Sequence, residues 1–172
     1  MRLGRIILLS ASLFTLTGCF SILAAASKAA NEESTNSGTQ YGFGDKVSCG
    51  DFEYVVNSAT NRKRIGSSLL GKETENNFVI VNFTVKNTSS SEKNLYSSMM
   101  TYHIGENEYE VNSAGVYLDS GFTSLEDIGA QMSKTLEAVY EIPNEYSNND
   151  YLLIKASAYS SKSVKIYMKT TI

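Results

Sequence analysis

The segment 77–87 alternates apolar and polar side chains with a period of two residues. It reads NFVIVNFTVKN, and Val79, Val81, Phe83 and Val85 all fall on one side of this pattern. Successive side chains of a β-strand point to opposite faces, so the alternation predicts a strand with one face in a hydrophobic core. This is the clearest secondary-structure signal in the chain.

Shorter alternations recur along the chain. Strands are predicted at 52–56, 100–104, 109–112, 135–142, 151–158 and 164–169. The composition supports them, because 11 Tyr and 7 Phe favour strands and a single Pro interrupts few ladders. About seven or eight short strands, with no stretch of helical period, predict an all-β fold in the form of an antiparallel β-sandwich.

Residues 1–18 have the pattern of a secretory signal peptide. Arg2 and Arg5 supply its basic start, and a nearly continuous apolar run follows at 6–16. The alternative is an uncleaved transmembrane helix, since the charge-free stretch 6–26 is long enough to span a bilayer.

The leader ends in Leu16-Thr17-Gly18-Cys19, which resembles the lipobox of bacterial lipoproteins. The resemblance implies that Cys19 is acylated and becomes the first residue of the mature protein. Two or three acyl chains hold a protein on a membrane, whereas a single chain binds only marginally. We therefore expect a lipoprotein of the bacterial cell envelope whose partner is the membrane itself, with the choice between the inner membrane, the outer membrane and the outer face of the plasma membrane left open.

Residues 19–40 are predicted to be a flexible linker, and residues 41–172 a globular domain. The stretch 27–40 reads SKAANEESTNSGTQ and has no apolar period that could support a core. The whole chain carries 15 Lys and Arg against 18 Asp and Glu. Without a basic surplus we expect no binding to nucleic acid, because phosphate neutralisation supplies most of that affinity.

Several blocks of the domain resemble a bacterial family of unknown function that is common in secreted proteins and lipoproteins. The matching blocks are FGDKV at 43–47, GDFEYVVNSA at 50–59, FVIVNFTVKNT at 78–88, IGENEY at 104–109 and VYEIP at 139–143. The block at 78–88 is the most specific of them. At 125–129 the chain departs from the family pattern, because Ile128 stands where the family has a Pro.

This family shares the fold of a small secreted mycobacterial immunoprotective antigen. The resemblance therefore implies an immunoglobulin-like β-sandwich and a place in the cell envelope. It implies no enzymatic activity, and it carries over no catalytic residue.

Cys49 and His103 are the one combination that could supply a nucleophile and its base. If Cys19 is acylated, Cys49 has no partner within the chain, and no disulfide is expected. The alternative is a buried, unreactive thiol, which suits the place of Cys49 in an alternating segment. A single His makes a zinc site of the usual kind an unfavourable interpretation, and no cofactor is expected.

Three carboxylates lie in the predicted connection 113–131, namely Asp119, Glu126 and Asp127. Carboxylate oxygens together with backbone carbonyls are ligands that suit Ca²⁺. The three residues are therefore a candidate calcium site, although their spacing is not that of a known calcium loop.

A second predicted connection, 61–75, joins a basic run to an apolar end. Its residues of interest are Arg62, Lys63, Arg64, Leu69 and Leu70. A loop of this kind could contact an acidic partner or lipid head groups. The alternative is a solvated loop whose cations offset an acidic surface.

The pattern as a whole favours a non-enzymatic binding domain on a lipid anchor, with an envelope or extracellular protein as its second partner. A protective or inhibitory surface lipoprotein, which excludes a host enzyme or a phage, would need the same features. A surface enzyme that uses Cys49 and His103 is the remaining alternative.

Overall fold

The computed structural model of the protein describes residues 40–144 and 149–168. The predictions made for residues 1–39, which include the signal peptide, the lipobox with Cys19 and nearly all of the linker, lie outside the described residues. The strands are Lys46–Cys49 (β1), Phe52–Gly66 (β2), Gly71–Asn87 (β3), Lys93–Tyr96 (β4), Met100–Ile104 (β5), Asn107–Tyr109 (β6), Gly121–Phe122 (β7), Leu125–Ile128 (β8), Ser133–Ile142 (β9), Asp150–Lys155 (β10) and Ser163–Tyr167 (β11). Two short 3₁₀ helices are Ser97–Met99 (η1) and Ser113–Tyr117 (η2).

These strands form two main sheets and one small one. The first sheet has the order β1-β2-β3-β9-β7, the second β11-β10-β5-β6, and β4 pairs with β8. Every pairing between these strands is antiparallel except the parallel contact between β7 and β9, and an isolated parallel bridge joins Tyr41 to Ile166 of β11. The predicted all-β sandwich is confirmed. The described residues hold eleven strands, more than predicted, because short segments without alternation, such as β4 and β7, pair with strands far away in the sequence.

The core lies between the two main sheets. The predicted apolar face of the central strand is confirmed, because Val79, Val81, Phe83 and Val85 are all fully buried. They belong to one cluster with residues of the second sheet, such as Leu152. The strands predicted at 100–104, 135–142, 151–158 and 164–169 are present with similar bounds. The one predicted at 109–112 instead ends at residue 109.

A smaller apolar cluster covers the opposite face of the first sheet near one end. Its members are Ile65, Phe78, Ile80, Ala114 and Val139, with Leu118 packed against them. Because η2 lies over this face, β3 is buried on both sides there, and its residues 78–81 read as a continuous apolar run.

The segment 61–75 is a strand pair and not the loop that the sequence predicts. Strands β2 and β3 continue as a hairpin to Gly66 and Gly71, beyond the point where β3 stops pairing with β9 at Asn77. The ladder shifts register between Arg62 and Arg64, and β2 continues for only four residues beyond Arg62, the partner of Phe78, so the hairpin extends roughly 13 Å past that pairing at a strand rise of about 3.3 Å per residue. The charged residues of this segment interrupt the apolar alternation, so no strand was predicted here from the sequence.

The hairpin leaves the sandwich at the end where the described chain begins. The amide of Tyr167 donates to the Tyr41 carbonyl at 2.8 Å, and Tyr167 pairs with Tyr151 near the start of β10. Cys49 Sγ, just before β2 begins, lies 3.5 Å from the carbonyl oxygen of Ile154 near the end of β10. Strand β2 therefore runs from that far end towards Tyr41 and onward into the hairpin. We call this end of the sandwich the tether end.

Two buried tyrosines give the fold an alkaline limit. The hydroxyls of Tyr54 and Tyr140 have no hydrogen-bond partner among the described residues, and burial raises the pKa of both. Above pH about 10 the unfolded chain loses these protons and the folded chain keeps them, so stability falls by about 1.4 kcal/mol per pH unit for each tyrosine.

Tyr140→Phe is expected to remove one of these contributions and to leave stability at pH 7 unchanged or raised by about 1 kcal/mol. Urea unfolding at pH 7 and pH 11 measures both effects. A Phe variant that is clearly less stable at pH 7 would mean that the hydroxyl has a partner after all.

Candidate functional site

The end of the β2–β3 hairpin is a closed turn, which we call the hairpin tip (residues 66–71). Gly66 has a φ of +86°, a conformation that side chains other than glycine rarely adopt. The Ser67 amide donates to the Leu70 carbonyl at 2.8 Å, and the Leu70 amide donates to Ser67 Oγ at 3.0 Å. The turn is thus closed by backbone and side-chain hydrogen bonds within itself.

Arg64 fixes the tip from the adjacent strand. Its Nη2 donates to the carbonyls of Ser67 and Ser68 at 2.7 and 2.8 Å, and its Nη1 pairs with the carboxylate of Glu73 across the hairpin. An arginine that bonds two turn carbonyls and a cross-strand carboxylate holds the loop in one geometry. Arg64 therefore builds the tip.

Lys63 links β2 to the facing strand β3 and to Asn144 by hydrogen bonds. Its Nζ donates to the carbonyls of Glu75 and Asn76 at 3.1 and 2.6 Å and to the Asn144 side chain. Arg62 is exposed on the strand, as is Lys63. The three cations predicted as one basic group therefore have different contacts, because Arg64 holds the turn and Lys63 bonds carbonyls of β3.

The tip exposes an unusual amount of apolar surface. Leu69 and Leu70 are 92% and 73% exposed, and Val116 and Tyr117 of η2 are 65% and 41% exposed. Tyr117 belongs to the same patch, because its Cβ would lie only 2.9 Å from a Cβ placed on Gly66. We call Leu69, Leu70, Val116 and Tyr117 the tip surface.

This surface is already ordered before any partner arrives. Full burial of one leucine side chain is favourable by about 1.5–3 kcal/mol, so a partner that covered both exposed leucines would gain a substantial part of its binding free energy from them. Since Arg64 and Ser67 hold the turn, little conformational entropy would be lost on binding. A rigid projection with exposed leucines is the feature of the described chain best suited to binding.

The structure does not bring Cys49 and His103 together. Cys49 Sγ contacts Ile154, which pairs with Met100 in β5, three residues from His103. That is about 10 Å along the strand. The side chain of Tyr102 lies in the same core cluster as Cys49. Because successive side chains of a strand point to opposite faces, the side chain of His103 points away from that core. The nucleophile–base pair considered from the sequence is therefore wrong.

Cys49 is buried, and burial raises the pKa of its thiol, which keeps it in the unreactive protonated form. We expect alkylation of Cys49 in the folded chain to be slower than in urea by ~10³-fold or more, because it requires local or global opening. Peptide mass spectrometry after iodoacetamide treatment reads Cys49 separately from Cys19. Rapid labelling of the native chain would contradict the burial.

His103 belongs to an aromatic row on the outer face of the second sheet. Its ring stacks on Tyr151 at 4.8 Å, Tyr151 contacts Tyr167 at 5.9 Å, and Lys165 Nζ lies 4.4 Å from the Tyr151 ring centre. Burial lowers the pKa of His103. Because these side chains cover each other across the strands, we assign the row to cross-strand stabilisation. This row could not be predicted from the sequence, because strand register decides which rings meet.

The three candidate calcium ligands are not gathered into a site. Glu126 pairs with Lys134, while Asp127 is its neighbour on β8 and so points to the other face of that strand. Asp119 lies outside β8, in the segment between η2 and β7. Within residues 40–144 and 149–168, no group of three or more His, Cys, Asp or Glu is placed to hold a metal ion.

Comparison with known sequences gives one family. The sequence profile of a family described as a domain of unknown function, DUF4352, matches residues 41–166, which is most of the chain. No curated protein sequence matches the chain. In the part of the chain that the structure describes, no helix is long and apolar enough to cross a membrane.

Solved structures share the fold at low sequence identity. The yjhA protein of Bacillus subtilis is 9% identical with a TM-score of 0.57, over 75% of this chain and 99% of that chain. A conserved hypothetical protein of Bacillus anthracis is 15% identical with a TM-score of 0.55, over 74% and 95% of the two chains. A candidate lipoprotein of Bacillus subtilis, ycdA, is 17% identical with a TM-score of 0.55, over 72% of this chain but 38% of that chain. These likenesses concern the fold.

Proposed function

We propose that this chain, which belongs to the DUF4352 family of domains of unknown function, is a lipid-anchored binding protein of the bacterial cell envelope. In this proposal residues 1–18 are removed, Cys19 carries the lipid, and the linker up to residue 40 tethers the sandwich. The lipobox-like Leu16-Thr17-Gly18-Cys19 supports the anchor. The description of ycdA, which shares the fold, as a candidate lipoprotein is in keeping with it.

The tip surface is the binding surface in this proposal, and it is the observation that carries the proposal. Leu69 and Leu70 are exposed to solvent on a turn that hydrogen bonds from Arg64 and to Ser67 keep in one conformation. An exposed apolar patch on a rigid scaffold is typical of an interaction site. The role is non-enzymatic, since binding through such a surface requires no catalytic group.

Photo-crosslinking in intact cells tests this function. Benzoylphenylalanine is placed at Leu69, and in a matched chain at Tyr159, which is equally exposed but lies in the β10–β11 connection at the other end of the sandwich. We expect a discrete adduct with a component of the envelope from position 69 and none from position 159. Equal adducts from both positions, or none from position 69 in a chain that fractionates with membranes, would contradict the proposed surface.

A further inference from the structure

We infer that a slot at the tether end of the second sheet, lined by residues 40–43, Asp45 and Tyr167, binds a neutral pyranose ring of a glycan. The slot shares no residue with the tip surface, so the inference goes beyond the proposed function and does not rest on it. The place where the aromatic row ends, the hollow found there and the polar groups around it carry the inference.

The aromatic row of the second sheet stops at Gly42. Tyr151 and Tyr167 stand side by side on β10 and β11, and β11 is the last strand of that sheet. Beyond it, the isolated parallel bridge joins Tyr41 to Ile166. One residue further along both segments, Gly42 lies beside Tyr167. Because Gly42 has no side chain, no ring stands at the next position of the row.

A hollow of about 400 Å³ lies at this position. Ligand pockets usually have volumes of about 300–1,000 Å³, so the slot has room for one ring with its substituents. A Cβ placed on Gly42 would have one neighbouring atom within 4 Å, Asp45 Oδ2 at 3.9 Å. The space above Gly42 can therefore accept a ring.

Tyr167 provides the stacking surface of the slot. Tyr151 contacts its ring from the side of β10, at 5.9 Å between the ring centres, and the slot lies on the side of the sheet edge. The face of an aromatic ring is electron-rich, so it attracts C–H groups with a small positive charge. A pyranose ring presents such C–H groups on its face and carries its hydroxyls around the rim. A sugar ring in the slot would extend the aromatic row by one member.

The polar groups of the slot suit these hydroxyls. Asp45 Oδ2 accepts a hydrogen bond from the Gly42 amide at 2.8 Å, which holds the carboxylate in place. Within residues 40–144 and 149–168 the carboxylate has no other hydrogen bond or ion pair, and it can accept several more. A ring without donors would cover Asp45 without replacing its bonds to water. A ring that carries hydroxyls is therefore favoured over a purely apolar one.

The charge of the slot disfavours anionic ligands. Among the described residues that line it, Asp45 is charged and none is a Lys, Arg or His. A phosphate or carboxylate group on the ligand would be repelled by Asp45 without a lining cation to compensate. This distinguishes the slot from a nucleotide site and leaves a neutral sugar ring as the ligand.

Saturation-transfer NMR on the full chain in detergent micelles tests the inference. The probes are chitotetraose, maltotetraose and cellotetraose, and indole serves as an aromatic ring without hydroxyls. We expect transfer of saturation to at least one of the three sugars, strongest for the protons on one face of a pyranose ring. Indole should bind more weakly than that sugar.

Two substitutions place the sugar in the slot. Gly42→Phe fills the space, and the φ of Gly42 is not positive, so the backbone accepts a side chain there. It should lower the affinity for the sugar at least about tenfold and leave the urea midpoint unchanged. Tyr167→Ala should cause a similar loss, whereas Tyr167→Phe keeps the ring and should keep the binding. Tyr159→Ala, which removes an exposed ring elsewhere, should have no effect.

Three results would overturn the inference. The first is the absence of transfer to all three sugars. The second is sugar binding that Gly42→Phe leaves unchanged, because the sugar then lies elsewhere on the chain. The third is indole binding that matches or exceeds sugar binding and is lost in Gly42→Phe, because the slot is then a site for aromatic rings.

Discussion

Asn87→Asp is expected to destabilise the domain by about 3–5 kcal/mol at pH 7, enough to unfold much of it. Asn87 is fully buried at the end of β3. Its Nδ2 donates to the carbonyls of Ser91, Ile128 and Gly129 at 2.7, 2.8 and 3.2 Å. A carboxylate at this position cannot donate, so it would face three carbonyl oxygens with no water to solvate it.

The pH dependence identifies the cause. The introduced carboxyl is neutral at low pH in the folded state. The loss in free energy of unfolding, relative to the unsubstituted chain, should therefore grow as the pH rises from about 4. Asn57→Asp is the matched control, because the Asn57 amide also donates, to Asn82 and Thr84, but is exposed; water can replace those bonds, and its change should stay within about 0.5 kcal/mol. Urea unfolding at pH 4 and pH 7 measures both variants. Equal stability of Asn87→Asp and Asn57→Asp would show that Asn87 does not link these segments.

The double substitution Leu69→Ser and Leu70→Ser is expected to abolish binding while leaving the fold intact. The two leucines are the most exposed apolar side chains of the tip surface, so their loss removes several kcal/mol of burial in the complex and none from the core. With a photo-crosslinker at Val116, beside the tip, the adduct yield in cells should fall by at least about tenfold. The urea midpoint should be unchanged.

Tyr159→Ser is the control for this variant. It also removes an exposed apolar side chain, but from the far end of the sandwich, and should leave the Val116 adduct as strong as before. If the double variant retains its adduct, the leucines are not part of the contact. If it loses stability, the tip contributes to the fold, and the loss of adduct cannot be assigned to binding.

Period-two alternation predicted the sandwich because each alternating strand has one face in the core. The apolar side of 77–87 is buried as expected, and β9 and β10 follow the same rule. The fold class was accessible from sequence because binary patterning is local information.

The features that the sequence did not reveal depend on contacts between distant segments. Asn87 reads as an ordinary polar residue at the end of a strand, and only its three carbonyl partners explain its burial. The run Arg62-Lys63-Arg64 reads as a solvated loop, yet Ile65 beside it packs into the cluster under η2 and extends the strand. The exposed leucines were recognised from the sequence, but the rigidity of their turn was not.

In the proposed function the lipid anchor and the tip act together, and a comparison of anchored and released chains tests this. The chain with benzoylphenylalanine at Leu69 is expressed with its own leader and, separately, behind a secretory leader that carries no lipobox. We expect an envelope adduct from the anchored chain and little or none from the released one, because the anchor supplies the local concentration that a small surface needs. Equal adducts from both chains, or none from the anchored chain, would contradict the account.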